Sequence, residues 1–575
     1  MTAVAPAPQL APDPGIADRA PRRRISPERI AASLTLVALV VASLFALNGI
    51  GISIPAIVES WGNAQHFFDR VGHLSFPAPD KLLQLTALTL GIVITGTVLA
   101  AVLSVPVAYI SASNTSPGPS WQGLGRFIGV FARAVPDAVL AMVFVLVFSI
   151  GTLPGIVAIG LHSIGMISKL FADAIEQIDE GPRLAIRAAG GSKWQEFSAG
   201  ILPQVMPSWV ATVLHRNDIN LRGSVVLGYV GVAGLGFEMS YAFSSLDYSE
   251  GMGIALVIFL LCVVMEIISS TIRAAMLGVA PQGKGLGDRT VRAFSRGRKG
   301  EATDAPAPAA ATPTAMLRRP WTGARVRNTV WSWVALAVVV LSVIVCNITW
   351  SDLFTVWGKI PPVAAQFWPP EFGAYGADII VEAMGETILI ALAATVLAFA
   401  FSLVLGSFAA RNVAPNPGVR STFRLILVAV RGVPEVILAI VLIVVTGLGP
   451  QAGTLALAFG GIGLLGKLIA DSFEEVARGP ERALSATGAT RTQVYAAATL
   501  PQGTPALIGH TFYLLDSNVR SATILGIVGG GGVGYYLLNA AQGSNYGMIT
   551  AIVAMMVATV LVIEGIAVWM RRVFK

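Results

Sequence analysis

From Gly181 to Gln204 the chain reads GPRLAIRAAGGSKWQEFSAGILPQ, and from Gly479 to Gln502 it reads GPERALSATGATRTQVYAAATLPQ. The two stretches lie 479 − 181 = 298 positions apart. Each holds Gly-Pro, an Ala-rich run, a glycine and Leu-Pro-Gln in the same order. The offset holds elsewhere. Arg133-Ala-Val-Pro136-Asp137 returns as Arg431-Gly-Val-Pro434-Glu435, and Asp218, Asn220 and Arg222 return as Asp516, Asn518 and Arg520. Gly228, Gly231, Gly234 and Gly236 match Gly526, Gly529, Gly532 and Gly534, and Glu266 and Arg273 match Glu564 and Arg571. One offset across all of these means two copies of a single unit with no net insertion in the core of the repeat.

Composition decides what kind of unit is repeated. The 575 residues are 54% hydrophobic and only 12% charged, against about 25% charged in a soluble domain. Apolar runs of the roughly 20 residues a membrane helix needs recur along the whole chain. The expected fold is therefore an all-α polytopic membrane protein. It has about 12 transmembrane helices in two parallel-repeat halves of about six. An even number of spans in each half keeps both copies the same way up, with a pseudo-two-fold axis along the membrane normal.

Read in order, residues 1–30 form a Pro/Ala-rich disordered tail with Arg22, Arg23, Arg24 and Arg29. Residues 31–279 are the first half, and 280–327 a basic, disordered linker. Residues 328–575 are the second half, ending on Arg571, Arg572 and Lys575. The first apolar run, Ala31 to Ile50, has the length of a span rather than of a cleavable signal. Residues 51–82, with Trp61, Phe67, Phe68 and Phe76, read as an interfacial segment outside the membrane. Phe127 to Phe148 reads as one crossing kinked near Pro136. Basic residues concentrate in the tail, the linker and the C-terminus, which places both termini in the cytoplasm of a bacterial plasma (inner) membrane. The net charge of +7 is thereby accounted for without nucleic acid. Cys262 and Cys346 sit in apolar runs and read as small core residues, with no disulfide framework and no metal site.

The Ala-rich helix, Gly190 or Gly488, and Leu202-Pro203 or Leu500-Pro501 resemble the "EAA" loop of ABC-importer permeases. The Arg-x-Val-Pro-Asp/Glu, Asp-x-Asn-x-Arg and glycine-rich segments are similar to the phosphonate-type permeases (PhnE family) in particular, over about 150 residues in each half. The resemblance implies a type I ABC-importer permease fold, with two permease units fused in tandem. It also implies that Ala185, Gly190, Leu202 and Pro203, and likewise Ala483, Gly488, Leu500 and Pro501, form coupling loops that dock into an ATP-hydrolysing subunit. The glycine lets the chain turn after the coupling helix, and the proline ends that segment and starts the next span. In the family a glutamate stands six residues before the glycine. Here those positions are Leu184 and Arg482, and Glu481 is the nearest substitute at the ATPase surface.

Other residues carry two readings each. Gly529, Gly531 and Gly534 satisfy GxGxxG, but the first copy has Ala233 at the middle position. A dinucleotide loop would also need a strand–turn–helix context. A break between membrane segments, or close helix packing through small residues, fits better. Arg133, Arg222 and Glu266, with Arg431, Arg520 and Glu564, fall in or at the edge of spans, where a charge costs roughly 2.5–3.5 kcal/mol. Asp218 and Arg222, and Asp516 and Arg520, are four residues apart and can pair on one helix face. Glu266 can reach an arginine on a neighbouring helix. The arginines either line a path that attracts an anion or are neutralised in structural ion pairs. His162 matches Gly460 and reads as packing.

The functional expectation is a non-enzymatic permease subunit. No GxxxxGK[S/T] phosphate loop occurs, so ATP and Mg belong to a partner ATPase and this chain binds no cofactor. Two similar coupling helices imply an ATPase homodimer, and short outer loops imply an extracytoplasmic substrate-binding protein. The lipid bilayer is the remaining partner. The resemblance implies a phosphonate-, phosphite- or phosphate-like oxyanion as substrate, with alternating access between the halves. A fused permease for iron or thiamine, or an ATPase-independent secondary transporter using Glu266 and Glu564, are the alternatives. A lipid-modifying membrane enzyme would need a polar catalytic cluster, and the sequence offers none.

Overall fold

The structure, a computed structural model, describes residues 26–52, 54–276, 321 and 323–574. Residues 1–25 of the expected tail and most of the expected linker lie outside them, while residues 27–30 of that tail and 323–327 of that linker are already helical. The first half is built of α1 (Pro27–Gly49), α2 (Ile54–Val71), α3 (Pro79–Ser111), α4 (Pro119–Ala134), α5 (Asp137–Phe148), α6 (Leu153–Glu176), α7 (Glu180–Ala188), α8 (Leu202–Tyr229), α9 (Leu235–Ser244) and α10 (Tyr248–Met276). The second half repeats the series as α11 (Gly323–Val345), α12 (Trp350–Gln366), α13 (Gly376–Ala409), α14 (Pro417–Gly432), α15 (Glu435–Thr446), α16 (Pro450–Glu475), α17 (Arg478–Ala486), α18 (Leu500–Ile527), α19 (Val533–Gln542) and α20 (Tyr546–Phe574). The duplication seen in residue types is thus a duplication of helices.

Among the described residues nine helices are long and apolar enough to cross a membrane, and two bent pairs raise this to as many as eleven. The twelfth position in the repeat is α18. It carries Asp516, Asn518 and Arg520 and is too polar to be counted on composition, yet Phe512, Leu514, Leu515 and Val519 on it are buried. A helix surrounded by protein rather than lipid need not be apolar on every face.

Each bent pair has a stated cause. The axes of α4 and α5 meet at 84°, and those of α14 and α15 at 78°. Pro136 and Pro434 lack an amide N–H and clash with the preceding turn. The residues before them are pushed to extended backbone, Val135 at φ −91°, ψ 124° and Val433 at φ −80°, ψ 120°. The expected kink is therefore a full elbow. The crossing also begins earlier than expected, at Pro119 rather than Phe127. The interfacial segment is largely the helix α2, on which Phe67 is buried while Trp61 and Phe68 stay exposed.

Within each half the central pairs are α3 with α6 and α13 with α16. Small residues let them approach. A Cβ on Gly96 of α3 would meet Ile159 at 2.9 Å, and one on Gly461 of α16 would meet Ala398 at 2.9 Å. In a membrane, where burial against lipid gives little advantage, such close contact is what holds helices together.

The leading helices are exchanged between the halves. α1 packs on α13 and α20 of the second half, sharing a cluster that includes Ala32, Ala391, Val560 and Met570. α11 packs on α3 of the first half, where Gly91 leaves room for Cys346 and Ser342. The two units of sequence therefore interlock in space.

One face of the bundle is fixed by hydrogen bonds. Thr152, before α6, donates to Cys346 O after α11 (2.9 Å), and Gln451, at the start of α16, donates to Gly51 O after α1 (3.4 Å). Ala233 N–H donates to Gly151 O (3.2 Å) and Ser75 N–H to Ser249 O (3.3 Å). These links gather the starts of α6, α10 and α16 on that face. Both α6 and α16 then run to the opposite face, where α7 and α17 begin.

Candidate coupling surface and buried polar centre

α7 and α17 bury no residue, and both lie at the surface on the same face of the bundle. Their ends are built alike. Gly190 (φ +82°) and Gly488 (φ +83°) adopt the left-handed conformation, which an L side chain enters at a cost of about 1–2 kcal/mol. Gly190 N–H donates to Arg187 O (3.0 Å) and Gly191 N–H to Ile186 O (2.9 Å). Gly488 N–H donates to Ser485 O (3.1 Å) and Ala489 N–H to Leu484 O (3.2 Å). Both are complete Schellman caps. A capping box then restarts the chain, through Ser192 and Gln195 in the first copy and Thr490 and Gln493 in the second.

The glycine, rather than the proline, ends the coupling helix. Beyond the capping box the winding runs on through wide π turns, Glu196–Ile201 and Tyr495–Thr499, into α8 and α18. Pro203 and Pro501 occupy the first turn of those helices. A wide turn just before the proline relieves the clash that its ring would make in a regular α-helix. Ala185 and Ala483 are exposed with their glycines and prolines, and Leu202 and Leu500 are half-buried.

Glu481 has a different place from the one expected. It turns toward the bundle, accepting from Asn412 Nδ2 (2.8 Å) and Thr499 Oγ1 (2.6 Å). In the first copy Glu180 accepts from Asn114 Nδ2 (2.8 Å) and Arg183 Nε (2.6 Å). Glu180 and Glu481 are not repeat equivalents, because position 478 is an arginine and position 183 is another. The acid and the base have traded places one helical turn apart, on one face, and in each copy the acid still meets the equivalent asparagine. Asn114 and Asn412 also donate to the last turns of α6 and α16, at Ile175 O and Phe473 O (2.8 Å each). They pin the coupling loop to the α3–α4 and α13–α14 connections. Sequence reading passed over them, although they stand at the repeat offset in the short connecting loops. Gln204 is a further pin. It receives Asp179 N–H (3.0 Å) and donates to Asp179 O (3.1 Å).

Asn412→Ala is expected to leave the Glu481 and Phe473 acceptors short of a donor, at about 1 kcal/mol. Amide exchange over 478–499 should quicken about fivefold, while exchange in α16 stays unchanged. Equal exchange over 478–499 in both proteins would remove Asn412 from this role.

At the level of the elbows, polar side chains converge between the halves. Arg222 Nη2 meets Asp218 Oδ2 (2.9 Å) and Glu266 Oε2 (3.1 Å), and Nη1 donates to Arg431 O of the second half (2.7 Å). Arg520 pairs with Asp516 at 2.8 Å, whereas Glu564 pairs with Arg571 at 3.2 Å. Among the described residues, Arg222 thus reaches Glu266, whereas Arg520 does not reach Glu564. Arg133 makes no hydrogen bond or ion pair with a described residue, and is half-buried beside Gly165 of α6. Asn220 and Asn518 clamp α8 to α3 and α18 to α13, donating to Thr97 and Thr395 Oγ1 at 2.9 Å each. His162 Nδ1–H donates to Val135 O (2.9 Å) and ties α6 to the elbow. Its counterpart Gly460 leaves the space that the longer Glu435 side chain fills.

The glycines between α8 and α9 both break the helix and pack closely. Gly231 and Gly234 have φ of +96° and +135°, and a Cβ on Gly228 would lie 2.1 Å from Gly236 C.

Against known proteins, the model of the binding-protein-dependent transport system inner membrane component matches residues 104–277 and again residues 402–575. The chain belongs to this permease family. It carries the family unit twice, at the offset read from the sequence.

The permease is 39% identical over 90% of its length to the phosphate-import permease protein PhnE of Mycolicibacterium smegmatis, of which 90% is covered. It is 40% identical to the phosphite transport system permease protein PtxC of Stutzerimonas stutzeri, over 32% of this chain and 67% of that one. It is 35% identical to the putative cryptic phosphonate transport system permease protein PhnE2 of Escherichia coli, over 20% of this chain and 95% of that one. The permease is thus a tandem PhnE-type homologue, all-helical and multi-pass.

Proposed function

We propose that this permease forms the complete translocation pathway for a phosphate-, phosphite- or phosphonate-like oxyanion. A separate ATPase homodimer drives it, and an extracytoplasmic binding protein delivers the ligand. The observation that carries the reading is the pair of exposed, identically capped coupling helices on one face, each fixed by a left-handed glycine. The relatives transport phosphate or phosphite, or are assigned to phosphonate transport, which supports the oxyanion class. That face is cytoplasmic in this reading, and so are both termini, because α1 begins beside the end of α20. ATP and Mg are held by the ATPase. When it closes, α7 and α17 move together and the interlocked halves rock about their shared axis. A carrier without an ATPase would need titrating acids free in the membrane, and Glu266 and Glu564 are both held by arginines.

The test is co-purification. Gly190→Val combined with Gly488→Val forces β-branched residues into left-handed backbone, although nothing stands within 4 Å of either Cβ position. The penalty of about 1–2 kcal/mol at each cap should release the ATPase, while the permease still assembles in the membrane. Retention of the ATPase by the double variant would defeat this reading. Titrating the cognate binding protein with phosphate, phosphite and a phosphonate then fixes the ligand.

A further inference from the structure

Besides the half-buried Arg133, the polar centre holds a more deeply buried guanidinium for which the ion pairs above do not account. Arg216 of α8 is 8% exposed. Among the described residues it makes one hydrogen bond, from Nε to Ser163 Oγ (3.0 Å), and no ion pair. Its repeat counterpart is Leu514, a buried residue of an apolar cluster in the second half. Duplication alone therefore does not call for a charge at this depth. An unpaired cation buried in a membrane bundle is costly to keep and is by default a candidate functional site.

The surroundings say which anion. Arg520 and Tyr513 of α18 lie close enough to act electrostatically on Arg216, so the group faces the other half. Asp137 acts on it too, but Asp137 accepts from Ala138 N–H (2.9 Å) at the N-terminus of α5 and forms no ion pair. His162 precedes Ser163 on α6, and Asp137, Arg216 and Arg520 all act on it. Val135 O can only accept, so Nδ1 carries a hydrogen, and whenever the ring is neutral its Nε2 is an acceptor. A guanidinium offers a fork of donors to P–O⁻ oxygens, and a ring nitrogen with a lone pair accepts from P–OH.

We propose that Arg216 and His162 form a single, asymmetric binding site for one monoprotonated phosphorus oxyanion between the two halves. The inference rests on the oxyanion reading above and places its one stop on the first half only. The donor fork holds the deprotonated oxygens. His162 distinguishes a protonated oxyanion from sulfate, which carries no proton at neutral pH.

The test uses the full chain in nanodiscs of phosphatidylcholine, with inorganic phosphate as probe and 31P line broadening as readout. Wild type should bind phosphate, with methylphosphonate and phosphite competing and sulfate at least tenfold weaker. Arg216→Leu, which installs the second half's residue, should lower affinity at least tenfold, and Arg216→Lys should lose less. Unchanged phosphate binding by Arg216→Leu overturns the site, as does an absence of binding to wild type. Equal competition by sulfate overturns the assignment to protonated oxyanions. The titration is repeated with phosphatidic acid in the disc. Unchanged phosphate affinity is expected, and competition would assign the residues to a lipid headgroup and overturn the proposal. Retention of the ATPase by each variant shows that it is folded, and separates failure of this site from failure of the permease reading.

Discussion

Arg222→Leu is expected to destabilise the assembled permease by about 3–5 kcal/mol. Asp218 is 0% exposed and sits 2.9 Å from the guanidinium, which also meets Glu266 and the carbonyl of Arg431. Removing the arginine takes the ion-pair partner from the buried Asp218 carboxylate, removes one contact of Glu266 and cuts a bond to the second half. Detergent-solubilised protein should melt at a markedly lower temperature and be recovered poorly as a monodisperse species. The triple change Asp218→Leu, Arg222→Leu and Glu266→Gln should recover much of that loss, because a buried ion pair exchanged whole for apolar groups is often neutral. Arg520→Leu breaks one ion pair rather than two and should cost less. If Arg222→Leu assembles with an unchanged melting temperature and yet fails to transport, the residue serves the path and not the structure.

The second large effect is steric. A Cβ on Gly534 would stand 1.9 Å from Thr523 O, and one on Gly228 would stand 2.1 Å from Gly236 C. Both obstacles are backbone, which cannot rotate away as a side chain can. Gly534→Ala and Gly228→Ala are therefore expected to reach or exceed the upper end of the 1–3 kcal/mol typical of overpacking. Gly565 of α20 has nothing within 4 Å of its Cβ position. Gly565→Ala should be neutral, or stabilise by about 0.5–1 kcal/mol through helix propensity. Equal melting temperatures for Gly534→Ala and Gly565→Ala would show that the helix break is loosely packed.

Much of the candidate site was legible because it depends on spacing along one helix or one turn. The Asp218–Arg222 and Asp516–Arg520 pairs follow from four-residue spacing and are met at 2.9 and 2.8 Å. The glycines that stop α7 and α17 follow from their place after an Ala-rich run. Glu481 was misplaced because spacing says which residues share a helix face, not whether that face meets the bundle or the water. Arg216 was passed over because Asp218, the nearest acid in its polar run, is two positions on and so does not share its helix face, which leaves no partner at helical spacing to signal it. Its significance lies in facing α18 of the other half.

The amino-acid order alone determined the duplication, the spans, the kink near Pro136, and where the coupling helices lie along the chain. Each of these follows from local sterics or from the length an apolar run must have to span lipid. Only the tertiary structure decided that α1 and α11 cross to the opposite half, that Arg222 reaches the second half while Arg520 stays with Asp516, and that Asn114 and Asn412 anchor the coupling loops. An apolar helix reads the same whether it faces lipid, its own half or the other one. Which surface it covers is set by small-residue contacts and polar partners hundreds of residues away.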